Sequence, residues 1–355
     1  MTTTADSPRA PAPGPPTAGE TVPVRPSLAR AELRRLSSRR FVRVLLALSL
    51  LGFLAAVGLA SATAFAKTTP EQLAAAERNI ERVVQEQNGF RQLCLDDTNR
   101  PADVPDAAFC GEPATGDQFR TEDFLDKQPF VLSEALPAGG IAVAAGTAAL
   151  AFLLGATSIG AEWSSRSIVA LLFWEPRRTR VMAVKLAVLA GAVATMAVVA
   201  QALWFGASQL MARTLGTTGP LPDGFAGDLL AQQARSVLLA VLAAGLGFAV
   251  SNLARGTGAA LGAGFVWFAV VETAVRGVRP RWQEWLLSDN AAALVLNGGQ
   301  RIYVYDGGFV DDTGQFVDSG RQIVLSNLHG GLVLGLATAA LVGVGVVLFA
   351  RRDLH

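Results

Sequence analysis

One polar stretch, set between two long apolar blocks, concentrates the residues able to do chemistry. It runs Gly160-Ala161-Glu162-Trp163-Ser164-Ser165-Arg166-Ser167-Ile168, then Leu171-Leu172-Phe173-Trp174-Glu175-Pro176-Arg177-Arg178-Thr179-Arg180, and on to Lys185. Glu162 and Arg166 stand four apart, so on a helix their side chains can pair. Ile168, Leu171 and Leu172 make an apolar face, Pro176 breaks the helix, and a basic turn with Arg177 and Arg178 follows. The stretch is too polar at its ends for lipid and too apolar in its middle for a free loop. It therefore predicts a short amphipathic helix at a membrane surface. Such a helix can be an ordinary interfacial anchor carrying topology-setting arginines, or a docking element.

The other reactive side chains are few. Glu272 is the one acid inside an apolar block, and an intramembrane carboxylate is a candidate for function; with Arg276 one turn away, it also reads as a snorkelling ion pair. Gln201 and Asn252 read as hydrogen-bonding glue between helices. Two histidines, His329 and His355, and two cysteines, Cys94 and Cys110, have no metal-ligand spacing. No His pair, acidic pair or Ser-Lys arrangement lies within the apolar blocks, so no catalytic residue is expected. No Gly-x-x-x-x-Gly-Lys-Ser/Thr loop is present, and Gly256-Thr257-Gly258 lacks the lysine.

The elements that position these residues are membrane spans. The chain is 51% hydrophobic and 17% charged, with a net charge of +1, which suggests no nucleic-acid partner. Apolar residues gather in uncharged runs, and a helix needs about 20 such residues to cross a bilayer. The runs are continuous rather than alternating, which argues against a barrel. The expected fold is an all-α polytopic membrane protein with six transmembrane helices, at 41–66, 135–161, 186–212, 236–254, 256–275 and 329–350. A disordered tail and basic juxtamembrane segment occupy 1–40; the loops are 67–134, 162–185, 213–235 and 276–328, and 351–355 is a short tail. Ser38-Arg39-Arg40-Phe41 resembles a twin-arginine signal, but the uncharged run after it exceeds a signal's apolar region.

Arg30, Arg34, Arg35, Arg39, Arg40 and Arg43 precede the first span, and Arg351 and Arg352 follow the last. The positive-inside rule then puts both termini in the cytoplasm, with 162–185 on the same side. Arg276, Arg279 and Arg281 oppose that assignment.

The 67–134 loop opens with a capping box, Thr69 with Gln72 behind Pro70. Its helix should present Leu73, Ala76, Ile80 and Val83 on one face and end at Asn88-Gly89. Orientation places this loop outside, so Cys94 and Cys110 are expected to form a disulfide; in a reducing loop they would instead stay free thiols. In 276–328, Trp282, Trp285 and Leu286 fall on one helical face suited to the interface. Short runs at Ile302 to Tyr305 and Gln315 to Val317 read as small hairpins, with turn aspartates that do not follow the EF-hand pattern. Gly258-Gly262 and Gly331-Gly335 have the spacing for close helix contact.

Six spans, a long first external loop, and the order Glu162, Ser167, Leu171-Leu172, Pro176, Arg177-Arg178-Thr179-Arg180, Lys185 together resemble the permease subunits of type-2 ATP-binding-cassette exporters. Ala31-Glu32-Leu33-Arg34-Arg35 and Phe349-Ala350-Arg351-Arg352-Asp353-Leu354 resemble that family's ends. Ser167 departs from a frequent Gly-Thr pair, and the aspartate-rich 300–320 insert is unusual. The resemblance implies a bacterial cell-membrane permease that pairs with a second permease chain and with an ATP-hydrolysing subunit. ATP and Mg would sit on that subunit, with no cofactor on this chain. The 162–180 segment, through Glu162, Arg166, Ile168, Leu171, Leu172, Arg177 and Arg178, would couple the two. A non-transporting anchor or sensor, whose external loops bind a partner, is the alternative; a membrane-embedded enzyme lacks residues.

Overall fold

The computed structural model describes residues 28–97, 104–168, 173, 176–304, 308–310, 316–318 and 320–351. The chain is an all-α polytopic membrane protein. Among the described residues six helical segments are long and apolar enough to cross a membrane: α2 (Arg40–Thr63), α5 (Leu132–Ser164), α6 (Arg178–Leu215), α7 (Phe225–Ala254), the broken span Thr257–Val278, and α11 (Asn327–Arg351). The broken span consists of α8 (Thr257–Phe265), a π-helical stretch Val266–Val271, and α9 (Glu272–Val278). The remaining helices are α1 (Leu28–Ser38), α3 (Pro70–Leu95), α4 (Asp106–Cys110) and α10 (Leu287–Val295).

Several helices run past the uncharged runs. The second span reaches Ser164, the third begins at Arg178 rather than at 186, and the fourth begins at Phe225 rather than at 236. Backbone hydrogen bonding continues into the polar flanks, where water can solvate the side chains. Lys185 is therefore a helical residue inside α6, not part of the connection.

The core is α5 against α7, with α6 and α11 packed around them. Glycine sets this closeness. A Cβ on Gly155 of α5 would collide with the Ala244 carbonyl of α7, and one on Gly247 of α7 with the Phe152 carbonyl of α5. The backbones thus meet directly, the usual route to tight association without a hydrophobic driving force in lipid. The glycine pairs singled out by spacing do not do this: a Cβ on Gly258, Gly262 or Gly335 would meet nothing within 4 Å, and one on Gly331 only the Leu294 side chain at an ordinary 3.5 Å. Asn252 and Gln201 act as glue as expected. Asn252 Nδ2 donates to the Gly345 carbonyl (3.0 Å) and Gln201 Nε2 to that of Gly140 (3.1 Å).

The first long loop is a small subdomain built on α3. Its capping box forms as expected, with the Gln72 amide N–H donating to Thr69 Oγ1 and the Thr69 amide N–H to Gln72 Oε1. Ala76 and Ile80 are buried, while Leu73 is exposed. The helix does not stop at Asn88-Gly89; it runs to Leu95. Asn88 instead clasps the returning chain, exchanging two 2.9 Å hydrogen bonds with the Ala114 backbone. A Cys94–Cys110 disulfide closes the tip.

In the last long loop, Pro280–Trp285 is a 3-10 turn that exposes Trp282 and Trp285 but buries Leu286. The expected single amphipathic face is therefore absent there: three residues per turn moves Leu286 off it. The hairpin is nested, with β3 (Gln300–Val304) pairing β6 (Arg321–Leu325) and β4 (Gly308–Val310) pairing β5 (Phe316–Asp318). Asp306, Asp311 and Asp312 lie outside the described residues. A further pair, β1 (Phe130–Val131) with β2 (Gly216–Thr217), is parallel.

Candidate functional site

Where the second span gives way to the connection, α5 carries Glu162 as a buried side chain, 5% exposed. Its Oε1 accepts from Lys185 Nζ of α6 at 2.8 Å and from Arg39 Nη2 at 3.0 Å. The same Lys185 ammonium, 6% exposed, donates to Glu32 Oε2 of α1 at 2.7 Å. Glu32 is 6% exposed and is α1's one buried residue. It also accepts from Arg35 Nη1 at 3.2 Å. Two carboxylates thus share one ammonium, and each has a guanidinium of its own.

Each member is placed by local structure. Arg39 sits in extended conformation (φ −65°, ψ 122°) and separates α1 from α2. That break sends α2 across the membrane and turns the Arg39 side chain onto α5, where it also donates to the Thr157 and Ser158 carbonyls at 2.9 and 3.0 Å. Position 185 lies seven residues, about two turns, from position 178 at the start of α6, facing Glu162. The cluster therefore fastens α1, the start of α2, the end of α5 and the start of α6 together. Removing one partner of a buried ion pair costs about 3–5 kcal/mol, because the other charge is stranded. Glu162 Oε2 has no hydrogen-bond partner among the described residues.

This geometry corrects the expected Glu162–Arg166 pair. Arg166 has φ +53°, the left-handed conformation that ends a helix, so it leaves the α5 spiral before it can face Glu162. Ile168 is also not presented outward: it is 1% exposed and belongs to the buried apolar cluster that includes Val42, Leu154, Ile159, Met182 and Phe349. Leu171 and Leu172 lie outside the described residues. Arg177 is exposed, and Arg178 Nη1 donates to the Phe349 carbonyl of α11 (3.4 Å). Phe173, which spacing did not single out, is 85% exposed and is the connection's most outward described apolar group. Trp163 braces the same end: its Nε1 donates to Asn252 Oδ1 (3.2 Å), its ring meets Phe349 edge-on, and the Arg255 guanidinium lies 5.6 Å above it.

Glu32 was the residue missed by sequence reasoning. A single acid among arginines in an amphipathic turn was the available signal, and it lay within the segment expected to be a basic flank.

Glu272 forms a second polar site. It is 1% exposed rather than snorkelling, although its span is otherwise largely exposed. Its Oε1 accepts from Trp267 Nε1 (3.1 Å) and the Ser288 amide (3.2 Å), and its Oε2 from Ser288 Oγ. Arg276 reaches Glu272 at 3.6 Å and Asp289 at 3.0 Å. The carboxylate thus sits at the N-terminus of α10, where a helix dipole favours negative charge. It acts as a fastening between the broken span and α10.

Among the described residues no group of three His, Cys, Asp or Glu side chains is placed to hold a metal. No protein-family model, curated protein or solved structure matches this chain.

Proposed function

We propose that the chain is the permease subunit of an ATP-binding-cassette exporter. It would work as a pair of permease chains in a bacterial cell membrane, with both termini cytoplasmic and with ATP and Mg held by separate subunits. The observation that carries this reading is the Glu32–Lys185–Glu162–Arg39 cluster at the root of the 162–180 connection. A partner that pushes on this connection loads α5 and α6 directly, since both enter it. Through the ion pairs it also loads α1 and α2. A loose interfacial anchor has no need of such a junction, whereas a lever that turns ATP-driven motion into helix motion does. Phe173 and Arg177 are exposed on the connection, as an apolar anchor with a polar rim requires. Leu171 and Leu172 complete the apolar set in sequence.

The reading makes this chain a mechanical and pathway-forming component, with hydrolysis on its partner. Affinity purification of the tagged chain from its own membranes, after mild crosslinking, tests it. The expected co-purifying protein is an ATP-hydrolysing subunit in equal amount. Recovery of the intact chain with no ATPase would overturn the reading.

A further inference from the structure

We propose that the cleft between α1, α5 and α6 binds the headgroup of a single anionic phospholipid. The cleft is lined by Glu32, Arg35, Arg39 and Lys185 together with the apolar Leu36, Val188 and Leu189. The recess itself is small, about 20 Å³, so a headgroup rests at its mouth against Arg35 rather than inside it. The inference is independent of the transport reading and of which way the chain faces.

Depth is the first argument. Charged residues stop and uncharged stretches begin at Val44 in α2 and at Leu186 in α6. The cleft lies at that transition, where a bilayer places its phosphates. Helix α1 fits the same depth: Glu32 faces the bundle, while Leu33 is half-exposed and Arg34 is exposed. An arginine-bearing amphipathic helix of this kind lies in the interface.

Charge is the second. The cleft and the carboxylate behind it hold three cations, Arg35, Arg39 and Lys185, against two carboxylates, Glu32 and Glu162. One positive charge is left over, which suits a phosphodiester bearing one negative charge. Lys185 divides itself between the two acids, and Arg39 is committed to Glu162 and to two carbonyls. Arg35 gives Nη1 to Glu32 and has a side chain 50% exposed. Its guanidinium is thus the group that can turn a second donor to a phosphate, the bidentate geometry for which arginine is suited. The third argument is the apolar wall. Leu36 and Val188, both half-buried, offer nothing to a free inorganic anion but suit the glycerol backbone and first methylenes of a lipid, with the buried Leu189 behind them. A lipid seated there touches α1 and α6 together and reinforces the junction between them.

Native mass spectrometry of the full chain, released from detergent after incubation with phosphatidylglycerol, tests the proposal. The expected result is one retained phosphatidylglycerol per chain and little phosphatidylcholine at equal concentration. Arg35→Gln should weaken retention roughly tenfold, the scale of one charge-assisted hydrogen bond. Arg34→Gln removes the same charge from an exposed position on α1 that does not line the cleft and should leave retention unchanged. Unchanged hydrogen exchange of α1 in Arg35→Gln shows that the helix is still seated, since Lys185 continues to hold Glu32. Equal losses in the two variants would mean general surface attraction and would overturn the site. So would equal retention of phosphatidylcholine, or inorganic phosphate held as firmly as the lipid.

Discussion

Replacing Lys185 with methionine keeps the side chain's length and removes the charge that two buried carboxylates share. Glu162 keeps Arg39 at 3.0 Å, and Glu32 keeps only Arg35 at 3.2 Å, a half-exposed partner. The loss should therefore fall near the lower end of the range for a broken buried pair, about 3 kcal/mol. Glu32 is α1's one buried residue, so most of that loss should appear as detachment of α1 rather than as global unfolding. At about 1.4 kcal/mol per tenfold, local opening of α1 should become on the order of a hundredfold more frequent. Hydrogen exchange in detergent reads this directly. Protection over Leu28–Ser38 should collapse, while amides around Gly155 and Gly247 in the packed interior keep theirs. The triple change Glu32→Gln, Glu162→Gln and Lys185→Met should restore part of the protection, because it neutralises both buried carboxylates and leaves only Arg35 and Arg39, whose side chains are 50% and 25% exposed, without an acid. If Lys185→Met leaves α1 as protected as wild type, the ion pairs do not hold it. A triple variant no better than the single one would equally refute charge stranding as the cause.

Three further outcomes follow from other contacts. Reducing the Cys94–Cys110 bridge should destabilise the first loop by about 3 kcal/mol in the loop-entropy model. Limited proteolysis should then cut between positions 94 and 110 with the six spans intact, and resistance equal to the oxidised form would contradict this. Glu272→Ala strands the Trp267 and Ser288 donors at a cost of about 1–3 kcal/mol; the thermal midpoint in detergent should fall, with Glu272→Gln less affected. Gly155→Val pushes a side chain into the Ala244 carbonyl and should abolish monodisperse expression. Gly258→Val, with open space around it, should express normally.

The spans were legible because a bilayer imposes one demand, a long uncharged run, that local composition expresses directly. Asn252, Gln201 and the Thr69–Gln72 capping box were legible for a related reason: a polar side chain in lipid, or a hydroxyl before a helix, has few places to go. The errors came from contacts distant in sequence. Glu162 and Arg166 are neighbours on an ideal helix, but the helix ends between them and Lys185 comes back from the next span to take the carboxylate. Periodicity assigns Ile168 outward, yet it is 1% exposed and belongs to the buried apolar cluster that includes Val42 and Phe349 from the first and last spans. Spacing favours Gly258, with Gly262 four residues on, over Gly155, flanked at that distance by Ala151 and Ile159; only the neighbouring helix's backbone shows which of them is needed. Asn88 looked like a helix stop because its use as a clasp for Ala114 depends on a chain return 26 residues later.

The central claim is that the 162–180 connection takes up work from an ATPase. The most direct measurement is ATP hydrolysis by the complex reconstituted in liposomes, with wild type compared to a chain carrying Leu171→Asp and Leu172→Asp. In sequence these positions lie between the charge-locked junction and the basic turn, outside all six spans, so the spans should fold normally. The expected result is loss of ATPase co-purification and of permease-stimulated hydrolysis, with α1 and the α5–α7 interior as protected as in wild type. A double variant that assembles with the ATPase and stimulates it fully would contradict the claim and leave the connection an interfacial anchor.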